Sequence, residues 1–295
     1  MTHTSVDLPP INALGTTWWL EIFDLVSDDK KKQTHAIAIG YLQQFEQRYS
    51  RFLTDSWISR LNAERSYHAP DQEFIDLLTY GLSAYRRTND AFNLLIGNQL
   101  IARGYDAAYS FIPSKEPPPP PDPHDVLTIS STRITLTDKH TIDCGGFGKG
   151  YAIDGLAALL QAHGYVYFLI NGGGDMYVTS DHEAPITIHL EHPTEPGISL
   201  GTVALKNVGF AASSSFKRMW HTKEQTYSHL MTTDQQPSHV ASFVIADNAR
   251  DADVFATTCT VIDEAACLRV LASESIQLAR YEPAVRSMWY GRWPH

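Results

Sequence analysis

Residues 143–154 carry the strongest chemical signal in the chain: Asp143-Cys144-Gly145-Gly146-Phe147-Gly148-Lys149-Gly150-Tyr151-Ala152-Ile153-Asp154. Four glycines within six residues do not suit the interior of a helix or a strand. They predict a loop with unusual backbone angles, or one that leaves room for a ligand against the main chain. Alternating, β-rich residues from Val126 to Ile142 precede it. Tyr151 to His163 follows, with Ile153, Leu156, Leu159 and Leu160 at helical spacing. The order strand, glycine loop, helix presents free N–H groups and a positive dipole end, which suit phosphate. Lys149 supplies a cation in the same loop; the competing reading is a solvated surface lysine.

Neither of two well-known phosphate loops fits. A Walker loop needs Ser or Thr after its lysine, where Gly150 stands, and an earlier glycine that is missing. A Gly-x-Gly-x-x-Gly fingerprint needs glycine at 151 or 153, which are Tyr151 and Ile153. The plain alternative is a tight turn that packs a helix on a sheet. A second oxygen-bearing pattern lies in Asp251-Ala252-Asp253-Val254-Phe255-Ala256-Thr257. Asp253 and Thr257 share one helical face at the start of a helix running to about Ile262, and that start offers N–H groups to an anion. By itself this spacing is common.

A second glycine cluster follows the first: Phe168-Leu169-Ile170-Asn171-Gly172-Gly173-Gly174-Asp175, an apolar strand running into three glycines and an acid. The two clusters together resemble the central signature of the ApbE family of flavin transferases, Asp-x-Gly-Gly-Ile-Ala-Lys-Gly-Tyr-Ala-x-Asp followed by Asn-x-Gly-Gly-Asp. The resemblance extends from residue 14 to about 262. It implies an α+β fold, an ApbE-like, T-fold-related domain of mixed and antiparallel sheets packed with helices, with FAD in a cleft between lobes. It also implies Mg²⁺-dependent transfer of FMN from FAD to a threonine hydroxyl of a target protein, with AMP leaving. The acceptor would be a flavoprotein or redox-complex subunit bearing a threonine flavinylation motif. Two other readings share these features: an Mg²⁺-dependent FAD pyrophosphatase giving FMN and AMP, and a noncatalytic FAD-binding protein.

Carried over residue by residue, the resemblance places Leu14 where relatives open with Met, and Phe52 where they set a tyrosine against the flavin. Ala91, Phe92 and Asn93 stand where relatives have Ala-Phe-Asp, a segment that meets FAD through its backbone. Gly145 and Tyr151 belong to the glycine signature, and Ser213 to a serine-rich turn whose glycine and acid have become Ser215 and Phe216. The implied metal ligands are Asp253, Thr257 and the backbone carbonyl of Gly148, which replaces an alanine. Oxygen donors of this kind suit Mg²⁺. Tyr227-Ser228-His229-Leu230 matches Tyr-x-His-Ile and makes His229 the candidate acid/base, with Lys149 neutralising phosphate. The stretch Met231 to Pro237 rewrites a proline-glycine turn of the family. Asp143 and Asp175 have the ordinary work of Asp beside glycine as their alternative, capping turns and helix starts.

The elements that must position these residues are legible in outline. Leu14 to Phe23 reads as a first strand. Lys30 to Ser50 reads as an amphipathic helix with Asp28 and Asp29 before it, and Asp71 to Arg87 as a second. Trp57 adds an indole that stacks on a flat ligand or, more commonly, packs in the core. Strands are expected at 176–178, 186–190, 201–205 and 240–245, and a last helix at 264–271. Five consecutive prolines, Pro117 to Pro121, read as an exposed polyproline II connector within residues 116–123; a ligand for an SH3-type domain is the alternative.

The length of 295 residues gives ample core, and the expectation is one domain spanning residues 1–295. A formal charge of −10 disfavours nonspecific binding to nucleic acid or anionic membranes. Three cysteines, Cys144, Cys259 and Cys267, form neither a zinc motif nor a disulfide framework. Cys144 reads as a small buried filler rather than a nucleophile. No stretch reaches the roughly 20 apolar residues of a membrane span, and residues 1–10 lack a signal-peptide pattern, so a cytoplasmic location is expected.

Overall fold

The computed structural model describes residues 6–180, 184–217, 219–221, 226–228, 230, 240–284 and 286–293. Its strands are β1 (Val6–Asp7), β2 (Ile11–Ala13), β3 (Thr16–Ile22), β4 (Ser66–His68), β5 (Leu127–Ile129), β6 (Arg133–Leu136), β7 (Phe168–Gly172), β8 (Asp175–Thr179), β9 (Ile186–Glu191), β10 (Ser199–Leu205), β11 (Val208–Ser214), β12 (Met219–His221), β13 (Thr226–Ser228), β14 (Ala241–Ala246), β15 (Gln277–Glu282) and β16 (Ser287–Gly291). The helices are α1 (Asp28–Tyr49), α2 (Trp57–Glu64), α3 (Gln72–Arg87), α4 (Gly97–Ala102), α5 (Pro123–Val126), α6 (Gly148–Ala162), α7 (Ala249–Val261) and α8 (Glu264–Ser273). Helices and antiparallel sheets thus combine in an α+β fold.

A nine-stranded sheet in the order β1-β3-β7-β8-β11-β14-β15-β16, with β2 also on β3, forms the centre. Every pairing among the described residues is antiparallel. Both faces of the sheet are buried, and the two-residue period of a strand decides which side chain goes where. Ala211, Val244 and Leu278 pack under α7 and α8. Their neighbours Phe210, Phe243, Ile245 and Ala279 point the other way, onto Ile188, Leu190, Val203 and Leu205 of the β9–β10 hairpin. Trp18, Leu20, Phe168 and Ile170 meet α1 and α6 in the largest core. Strand β14 is therefore buried along its whole length.

Helix starts follow their capping residues. Ser27, Ser56, Asp71, Asn248 and Asp263 each accept a hydrogen bond from a first-turn amide of α1, α2, α3, α7 and α8. No helix among the described residues is long and apolar enough to cross a membrane.

Four local expectations change. The first strand begins at Thr16, because Leu14 and Gly15 turn the β2–β3 hairpin at φ +54° and +68°. The stretch 126–142 is not one strand: β5 and β6 pair, and residues 137–147 lead to α6 as loop. Two of the four loop glycines, Gly148 and Gly150, belong to the first turn of α6. A first turn tolerates them because its amides need no intrahelical partner. Gly150 also has no room for a side chain, since a Cβ there would lie 2.5 Å from the Ala249 carbonyl oxygen.

The fourth change concerns α7. It begins at Ala249, so Asp253 lies in its second turn and Thr257 further on, not at its start. Its leading amides are already engaged: Ala249 N–H donates to Asp154 Oδ1 at 2.8 Å and Arg250 N–H to Asp154 Oδ2 at 3.1 Å. Those two amides therefore face a carboxylate of the chain itself rather than a ligand anion.

Candidate active site

A cavity of about 690 Å³ opens where the glycine loop, the β7–β8 turn, α7 and the segments around Phe52 and Phe92 meet. That volume is in the range of small-molecule and cofactor sites. Leu14, Phe52, Ala91, Phe92, Asn93, Gly145, Gly148, Lys149, Ser213, Asp253 and Thr257 all line it. Residues scattered over most of the chain are thus brought to one place.

Tyr151 is a correction: it does not line the cavity. Three residues into α6, its ring turns toward Phe45 and Tyr80, with centroids 6.2 and 6.3 Å away, and the Arg250 guanidinium lies 5.8 Å from its centre. Trp57 likewise belongs to the core, packed among Tyr49, Tyr67 and Phe74. His229 and Met231 to Pro237 lie outside the described residues; the adjacent Leu230 lines the cavity.

The cavity has a charged cluster. Lys149 Nζ lies 2.5 Å from Asp175 Oδ2 and 3.4 Å from Asp253 Oδ2. The Gly150 amide donates to the same Asp253 oxygen at 3.0 Å. Both carboxylates are buried. Burial pushes the Asp175 carboxyl above its ordinary value, the Lys149 ammonium pulls it back, and the nearby Asp253 charge adds to the rise. Asp175 is therefore more than a turn cap, a role the sequence left open. Asp143 keeps its local work, accepting from Gly145 N–H at 2.6 Å, and adds a buried ion pair with Arg51.

An aromatic cluster also lines the cavity. Phe52 stacks on Tyr109 at 5.2 Å between centroids and meets Tyr105 edge-on at 5.7 Å. The Arg51 guanidinium lies 4.2 Å over the Phe52 ring and donates to the Tyr105 carbonyl at 2.8 Å. On the near wall, Glu46 Oε1 accepts from the Leu14 amide at 2.8 Å and holds that left-handed residue in place. At the β7–β8 turn, Gly173 has φ +77°, and a Cβ there would lie 2.3 Å from Thr16 Oγ1. Arg51, Glu46, Tyr105, Tyr109, Trp19, His189 and Glu191 also line the cavity and were not singled out in the sequence. A basic residue before the family tyrosine position was the only local signal for Arg51.

The residues present fit a hard divalent cation. Asp253, Thr257 and Gly148, which offer a carboxylate, a hydroxyl and a backbone carbonyl as oxygen donors, line one cavity. The helix and the loop that carry them are in contact: a methyl on Gly146 would sit 3.7 Å from Thr257 Cγ2. Burial raises the Cys144 thiol well above its ordinary value, which disqualifies it as a nucleophile near neutral pH.

Comparison with known proteins shows the family and the fold. The ApbE family model matches residues 14–280, and the chain belongs to the ApbE family. Among curated proteins, it is 22% identical over 294 residues to a FAD:protein FMN transferase of Klebsiella pneumoniae, covering 89% of this chain and 80% of that one. It is 27% identical over 157 residues to one from Rhodobacter capsulatus, covering 51% and 30%. Among solved structures, the ApbE protein of Thermotoga maritima superposes with a TM-score of 0.82 at 18% identity, covering 98% of this chain and 97% of that one. The flavin transferase ApbE of Vibrio cholerae gives 0.78 at 18%, covering 98% and 96%.

Proposed function

We propose that the protein transfers FMN from FAD to a threonine hydroxyl of an acceptor protein and releases AMP. The observation that carries this reading is the convergence of Lys149, Asp253 and Asp175 beside the glycine loop in a cavity that an aromatic cluster also lines. A flavin ring suits the aromatic cluster and a pyrophosphate the charged one. Family membership and the names of the related transferases support the coarser part of it, transfer of FMN from FAD to a protein.

In the reaction, the acceptor oxygen forms a bond to the phosphorus of the FMN half. The phosphoanhydride bond to the AMP half breaks, and the hydroxyl proton passes to a base. Asp253, Thr257 and the Gly148 carbonyl would hold Mg²⁺, which neutralises phosphate charge. Lys149 places a second positive charge beside them. The glycine loop lets the backbone approach the phosphates, and the aromatic cluster fixes the ring, so that positioning and charge supply most of the acceleration. His229, next to the cavity-lining Leu230, is the proposed acid/base.

The test is incubation with FAD, Mg²⁺ and a protein bearing the threonine motif, followed by intact mass. The expected result is an acceptor heavier by one FMN. AMP and free FMN without acceptor would instead favour the pyrophosphatase reading, and tight FAD binding with neither product a binding protein.

A further inference from the structure

The proline run is tied to the outside of the cavity wall. Arg103 Nε donates to Glu116 Oε1 at 2.6 Å. The Pro118 carbonyl accepts from Gln99 Nε2 at 2.7 Å and is 3.0 Å from His140 Nε2. The Pro121 carbonyl accepts from Asn93 Nδ2 at 2.9 Å. Asp122 then caps α5, accepting from the His124 amide at 2.8 Å. Prolines have no N–H to offer, so the donors to the proline carbonyls are side chains elsewhere in the chain: Asn93 on the cavity lining, and Gln99 and His140 outside it. A run already biased to polyproline II loses little entropy when it is fixed in this way. The connector keeps Pro118 and Pro119 exposed, as expected, and is also a strap, with two of its carbonyls engaged inside the chain.

Asn93 is the point where strap and cavity meet. It lines the cavity, while residues 116–122 do not. Its Oδ1 accepts from the Leu95 amide at 2.9 Å and its Nδ2 donates to Pro121. A carboxamide does both at once. An aspartate, the residue at this place in the ApbE signature, would keep the first bond, lose the second, and set a negative oxygen against the Pro121 carbonyl. The exchange of Asp for Asn is thus matched to the strap that crosses behind it.

We propose that Asn93 is a positioning residue, whose carboxamide couples the wall segment Ala91–Leu95 to the Pro117–Pro121 strap and holds that wall in its flavin-binding shape. The inference rests on FAD being the ligand of this cavity. Its test uses FAD binding to the full chain by calorimetry, together with steady-state transfer. Asn93→Asp should raise the FAD dissociation constant and KM about tenfold, the scale of one lost, partly buried hydrogen bond with its acceptor left unmatched, with kcat within about twofold. Exchange of Pro117–Pro121 for Gly-Ser-Gly-Ser-Gly should do the same without touching any cavity-lining residue. Combining the two should add little, because both break one network.

A lowered melting temperature with unchanged FAD affinity in both variants would overturn the proposal, as would fully additive losses. Should Asn93→Asp fail to fold, the strap exchange alone decides between these outcomes. Binding that weakens as described in a protein that transfers no FMN would leave this inference standing and remove the proposed reaction.

Discussion

Lys149 Nζ sits 2.5 Å from Asp175 Oδ2 and 3.4 Å from Asp253 Oδ2, so one ammonium serves two buried carboxylates from a strand start and a helix. Two buried negative charges side by side are costly without a shared cation. The same cation faces the cavity, where phosphate would lie. Lys149→Met should therefore lower turnover by on the order of 100-fold, the usual loss when one charge-stabilising group is removed from a site. The check is kcat at saturating Mg²⁺ and FAD; unchanged kcat in the folded variant would reduce Lys149 to a structural counter-ion.

Asp253 joins the proposed metal set to the α6 start through Gly150 N–H. Asp253→Ala should abolish Mg²⁺-dependent turnover, a loss on the order of 1000-fold or more for a group that holds the charge-neutralising ion. Circular dichroism should show the fold retained. A folded variant with wild-type turnover would remove the metal assignment.

Glu46 supplies the acceptor for the Leu14 amide at the cavity wall. Glu46→Gln keeps an oxygen acceptor and should behave nearly as the parent. Glu46→Ala leaves a partly buried N–H unmatched and should cost about 1–3 kcal/mol in urea unfolding, with weaker FAD binding alongside. Equal losses in the two variants would show that the carboxylate charge, not the hydrogen bond, matters.

Asp154 gives a pH signature away from the cavity. Burial pushes its carboxyl up from 3.8 to about 6, despite the Ala249 and Arg250 amides and the Arg250 charge that favour ionisation. The folded state then binds more protons than the unfolded one between these values, so the contribution of this group to stability is complete below pH 3.8 and is lost as pH rises through about 6. The difference corresponds to roughly 3 kcal/mol at most. Asn at this position cannot titrate. The stability of Asp154→Asn relative to the parent should therefore rise between pH 4 and pH 7, whatever its offset from the lost second hydrogen bond. Parallel profiles from urea melts would contradict the assignment.

The sequence carried the cavity's chemistry better than its geometry. Glycine clusters at 143–154 and 171–175 are visible because chain breaks of that kind are locally encoded, and their common site follows from a shared signature. Tyr151 belongs to the same signature, yet its helical phase turns it away from the cavity toward Phe45 and Tyr80. A one-dimensional pattern does not say which face of α6 meets the ligand. Lys149–Asp175 and Asp154–Ala249 pair residues far apart in the chain through the fold of the sheet and the packing of α6 on α7. Nothing local marks them. The role of Asn93 was hidden for the same reason: the Pro121 carbonyl that explains it lies in a separate loop.

The most direct test of the transfer chemistry is a count of products. With the intact protein, FAD, Mg²⁺ and a threonine-motif acceptor, AMP and flavinylated acceptor should appear in a ratio of one to one, with no free FMN and no AMP when the acceptor threonine is changed to alanine. AMP accumulating with free FMN at the same rate in the presence and absence of that threonine would contradict transfer and make water the nucleophile.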